Sequence, residues 1–70
     1  MSRFLLAFDV ELKKEVLAQL RHVHGVAVAG IPQADGTLVI RTLTRTLDDE
    51  TSAIRAVEEI PGVIDLRLLD

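Results

Sequence analysis

Cysteine, tryptophan and tyrosine are absent from the 70 residues, and Phe4 and Phe8 are the only aromatic side chains. Without cysteine the chain has no disulfide, no thiolate metal site and no thiol nucleophile, so its fold must rest on packing alone. The lack of rings removes the stacking platform on which single-stranded RNA recognition depends. A basic excess is missing too: the formal net charge is -3, which gives no field suited to a phosphate backbone, and nucleic acid is not an expected partner. No stretch approaches the roughly 18 apolar residues of a membrane span, so stable membrane insertion is not expected. The opening MSRFLLAFDVELKK meets acidic residues at once and has no small-residue cleavage site. It does not read as a secretory signal, and the cytoplasm is the expected location.

What is present is aliphatic. Hydrophobic residues make up 49% of the chain, a globular composition, and the length suits one domain over residues 1–70 with a thin two-layer core. RFLLAF, residues 3–8, ends at Asp9 and reads as a strand in the middle of a sheet. From about Val10 to Val23, the apolar residues Val16, Leu17, Leu20 and Val23 recur at helical spacing, and Gly25 follows where a left-handed terminator is expected. GVAVAGI is a second strand and TLVIRTL a third, joined through QADG as a hairpin. Thr46 and Asp48 are candidate N-caps for a second helix with Ala53, Ile54, Val57 and Ile60 inward. PGVIDLRLL supplies a fourth strand. Leu17, Leu20, Val23, Gly25 and Val26 are matched in spacing by Ile54, Val57, Ile60, Gly62 and Val63, so the order βαββαβ consists of two similar halves. The expected fold is α+β and ferredoxin-like: a four-stranded antiparallel sheet, its first and third strands central, with both helices on one face.

Alternation along the strands separates two faces. Phe4, Leu6, Phe8, Val26, Val28, Leu38, Ile40, Ile64, Leu66 and Leu68 form the bulkier, uncharged set and are expected under the helices. The opposite set is Arg3, Leu5, Ala7, Ala27, Ala29, Ile31, Val39, Arg41, Leu43, Asp65, Arg67 and Leu69. A solvated sheet face normally alternates to polar residues, whereas this one keeps leucine, valine and alanine in its centre. A patch of roughly 400 to 600 Å² would equal or exceed the largest on a typical monomer. Covering about 500 Å² at ~25 cal/mol per Å² yields on the order of 12 kcal/mol gross, which association costs of similar size reduce to anything from no stable complex to a tight one.

Catalytic and metal chemistry leave no comparable signature. His22 and His24 form an H-x-H without a predictable third ligand and suit the C-terminal end of a helix dipole, so no metal site and no cofactor are expected. Asp48, Asp49 and Glu50 fit the start of a helix. No nucleophile elbow, glycine-rich phosphate loop or positioned general base is found, and the protein is not expected to be an enzyme. Within the same framework, an RNA-binding domain needs aromatics on the open face, a soft-metal carrier needs cysteines in the first loop, and an acylphosphatase needs a phosphate-cradling loop there. DVELKK offers none of these. Protein or peptide binding, or self-association, through the sheet remains.

The short apolar opening FLLAF, LAQLRHVHGVAVAG, DGTLVIRTL and AIRAVEEIPGVIDLRLL together resemble the NapD family, cytoplasmic assembly chaperones of periplasmic nitrate reductase. The likeness covers nearly the whole chain, with His24 where the family has proline and no tyrosine after the fourth strand. It implies a protein that binds the twin-arginine signal peptide of a molybdoenzyme catalytic subunit. On the open face, the residues that would serve as the peptide-binding set are Arg3, Leu5, Ala7, Ala27, Ala29, Ile31, Val39, Arg41, Leu43, Asp65 and Arg67. The peptide's apolar stretch, as a helix, could lie across Leu5, Ala7, Ala27, Ala29 and Val39, with Asp65 the candidate contact for its cationic end. Arg3, Arg41 and Arg67 oppose a simple charge match. The alternative is a stand-alone ligand-binding domain resembling the C-terminal part of Lrp/AsnC regulators, forming a homodimer through the sheet.

Overall fold

The computed structural model describes residues 2–69. Strand β1, Arg3–Phe8, leads through a single 3-10 turn, Val10–Leu12, into helix α1, Lys13–Leu20. The hairpin strands β2, Val26–Val28, and β3, Thr37–Thr42, precede helix α2, Leu47–Glu58, and strand β4, Val63–Leu68. The sheet order is β2-β3-β1-β4 with every pair antiparallel, so the first and third strands are central as expected and the fold is α+β and ferredoxin-like.

Local chemistry fixes the ends of the elements. Asp9 accepts a hydrogen bond from the Glu11 backbone N–H (3.0 Å) and starts the 3-10 turn. Thr46, rather than Asp48, caps α2 by accepting from the Asp49 N–H (3.1 Å), which leaves Asp48, Asp49 and Glu50 in the first turn, where the helix dipole favours negative charge. The internal repeat is realised in the backbone: Gly25 and Gly62, at corresponding places after the two helices, both take positive φ (85° and 101°). A β-carbon at Gly62 would come within 2.8 Å of Val16 Cγ2, so both the turn and the close approach of the helix require glycine.

The core lies between helices and sheet. Leu6, Phe8, Leu38 and Ile40 from the central strands meet Val16 and Leu20 of α1 and Val57 and Ile60, the latter just after α2. Phe4, Leu17, Val23, Val26, Val63 and Leu66 are partly buried against them. Three residues expected beneath the helices are not buried: Val28 is 42% exposed, Leu68 59% and Ile64 71%. Val28 and Leu68 face the same way as their partners Ile40 and Phe4 but sit on the two edge strands. Ile64 is displaced by a bulge: Ala7 pairs with Asp65 and Phe8 with Val63, so Ile64 is the extra residue and Val63 packs on the core in its stead. The second strand is also shorter than the GVAVAGI run, because Gly30 and Pro32 break the ladder beyond it.

Thr42 is a fully buried polar side chain of β3, on the helix side with Leu38 and Ile40. Its hydroxyl accepts from the Ser2 N–H (3.0 Å) and donates to Glu50 Oε1 (2.7 Å), joining the start of β1 to α2. The Thr42 hydroxyl, and after it that of Ser2, holds the Glu50 carboxyl below its ordinary value. A depressed folded-state value means that ionised Glu50 contributes stability above the unfolded-state value, and that this is lost as pH falls through the folded one. The thermal midpoint should therefore fall on acidification below the ordinary glutamate value of about 4.5. Glu50→Gln should flatten that part of the profile; an unchanged acid limb would show that the Thr42 contact contributes nothing.

Candidate functional site

The face of the sheet opposite the helices is organised in three rows by the strand register. In the middle row Leu5 of β1 stands opposite Val39 of β3 on one side and Arg67 of β4 on the other, while the Ala29 N–H donates to the Val39 carbonyl (2.9 Å) and continues the ladder past β2. Toward the start of β1, Arg3 stands opposite Arg41, and Arg41 opposite Ala27. The Leu69 N–H reaches the Arg3 carbonyl (2.8 Å) and extends this row beyond β4. At the other end, Ala7 stands opposite Thr37 and Asp65.

Leu5, Ala7, Ala27 and Val39 are half-buried, screened by their sheet neighbours, and Ala29, Arg3, Arg41, Asp65 and Arg67 are exposed. Nine of the eleven expected site residues thus share one surface. The other two lie at its margin: Ile31, 79% exposed, falls in the connection after β2, and Leu43 follows the last residue of β3. Leu43 lines a different feature, a cleft of about 570 Å³ on the helix side bounded by His22, His24, Arg45, Asp49 and Ser52. Among the described residues no group of three or more His, Asp or Glu is placed to hold a metal ion.

The register reveals a charge pattern that strand alternation alone does not give. Arg3 and Arg41 are cross-strand neighbours in the two central strands. The opposite end is acidic on both flanks. Asp35 Oδ1 accepts from the Thr37 N–H (3.1 Å) and the Thr37 hydroxyl (2.7 Å), and Thr37 shares the face of Val39. Asp35 therefore joins Asp65 around Ala7. Sequence reasoning missed Asp35, although an aspartate two residues before a threonine in D-G-T is a recognisable turn signal.

No helix among the described residues is long and apolar enough to cross a membrane. No family model matches the chain, and neither a curated protein nor a solved structure matches it.

Proposed function

We propose that the protein is a cytoplasmic assembly chaperone, not an enzyme, that holds the twin-arginine signal peptide of a molybdoenzyme catalytic subunit on its open sheet face. The observation that carries this reading is the cross-strand pair Leu5 and Val39, aliphatic and half-buried in the middle of a face that no element among the described residues covers. Ala7, Ala27 and Ala29 surround the pair with side chains small enough for a helix to approach closely. A signal peptide supplies the matching object: an apolar stretch that, as a helix, lays one face against a flat apolar surface, and a cationic end for the acidic flank of the sheet. Binding would keep the apolar segment out of water while the client subunit matures.

Sedimentation of the free protein and of the protein with a synthetic twin-arginine signal peptide tests the proposal. A monomer of 7.7 kDa whose mass rises by one peptide is expected. An obligate dimer indifferent to the peptide would instead support a sheet-mediated homodimer of the regulator type.

A further inference from the structure

The two outer strands both turn backbone groups away from the sheet, and the two edges differ in length and chemistry. The Ala29 N–H donates to the Val39 carbonyl (2.9 Å) and the Leu43 N–H to the Gly25 carbonyl (2.8 Å), so the backbone groups of Val26 and Val28 point outward from β2. That edge is three residues long and purely aliphatic. On the other side the Leu69 N–H donates to the Arg3 carbonyl (2.8 Å), and Arg67 and Asp65 stand opposite Leu5 and Ala7, so the backbone groups turned outward are those of Leu66 and Leu68. Strand β4 is twice as long as β2 and carries two well-exposed apolar side chains on its helix side, Ile64 and Leu68. A long apolar edge of this kind is a template for a further strand.

We propose that this edge takes a second copy of the chain, β4 against β4, antiparallel about a two-fold axis at Leu66, making the two four-stranded sheets continuous. The inference rests on the order of residues in V-I-D-L-R-L. With Leu66 opposite its own copy, Asp65 stands opposite Arg67 of the second copy and Arg67 opposite its Asp65, each pair occurring once on either side of the axis. Leu66 and Leu68, whose backbone groups point outward, fall at the hydrogen-bonded positions of the new ladder. The charged pairs fall at the positions between, where side chains approach most closely. Ile64 and Leu68 of opposite copies meet on the helix side. No neighbouring register matches: sliding one copy by two residues, the smallest step that preserves the backbone bonds and the faces, sets Asp65 against Asp65 or Arg67 against Arg67. The bulge at Ile64 limits the pairing to a short segment, well below the roughly 1,200 Å² at which stable interfaces begin. The association is therefore weak, with monomer at micromolar concentration and dimer near millimolar. It occupies the edge and leaves Leu5 and Val39 uncovered, so it stands apart from the peptide reading.

Sedimentation from about 10 µM to about 1 mM should show monomer at the low end and a rising share of dimer at the high end; monomer throughout would overturn the proposal. Asp65→Arg alone and Arg67→Asp alone each create two like-charged pairs and should raise the dissociation constant roughly tenfold. An equimolar mixture of the two variants restores both opposite-charge pairs in the mixed dimer and should associate about as well as the parent. Single variants that dimerise like the parent, or a mixture no better than its components, would overturn the pairing. Hydrogen exchange on the parent locates the contact without any substitution. The amides of Leu66 and Leu68 should slow roughly threefold between the two ends of the concentration range, with those of Val26 and Val28 unchanged. Slowing at Val26 and Val28 instead would place the contact on β2 and contradict the proposal.

Discussion

Ile40→Ala and Leu20→Ala should each lower stability by about 2 to 5 kcal/mol, the sum of lost transfer free energy and an unfilled cavity. Ile40 is wholly buried on β3, between Phe4 of β1 and Val28 of β2, and Leu20 of α1 is almost as deep. Both lie in a core cluster of Leu, Ile, Val and Phe8, with Phe4 partly buried against it. A chain of this length has a total stability of roughly 4 to 10 kcal/mol, so either substitution could leave it largely unfolded at 37 °C. Urea denaturation gives the answer through a lower midpoint at unchanged slope. Losses under about 1 kcal/mol for both variants would place the core elsewhere.

Val39→Glu should behave in the opposite manner, folding like the parent and binding poorly. Val39 is half-buried beside Leu5, and a glutamate there can extend into water in the free protein. In the complex the same carboxylate would lie beneath an apolar helix, desolvated, in the centre of the contact. The expected loss is ~2 kcal/mol or more, about thirtyfold in affinity. Circular dichroism beside a titration with the signal peptide separates the two effects. A variant that folds and binds as the parent does would remove the sheet centre from the binding surface.

The fold was legible because its determinants are local. Helical spacing at Val16, Leu20, Val57 and Ile60, terminating glycines at Gly25 and Gly62, and alternation in FLLAF and TLVIRTL all point to one βαββαβ arrangement, and the sheet order follows. The departures are non-local. The bulge that exposes Ile64 depends on how β4 meets β1, and no count along PGVIDLRLL registers an extra residue. The exposure of Val28 and Leu68 follows from their places on edge strands, where alternation assigns a face but not a cover. For the candidate site, parity grouped Leu5, Ala7, Val39, Arg41, Asp65 and Arg67 on one face, yet the facing of Arg3 and Arg41 and the placing of Thr37, with its bond to Asp35, opposite Ala7 needed the register. Thr42 has the same parity as Leu38 and Ile40; its hydroxyl finds Glu50 only once α2 is docked.

The central claim is that the uncovered sheet face is the binding surface. Amide shift mapping of the isotopically labelled protein, titrated with a twin-arginine signal peptide, tests it most directly. The expected result is a set of saturating shifts at Leu5, Ala7, Ala27 and Val39, with His22, His24 and Ser52 around the helix-side cleft unmoved. Shifts confined to the cleft or to α1 and α2, with the sheet centre silent, would contradict it.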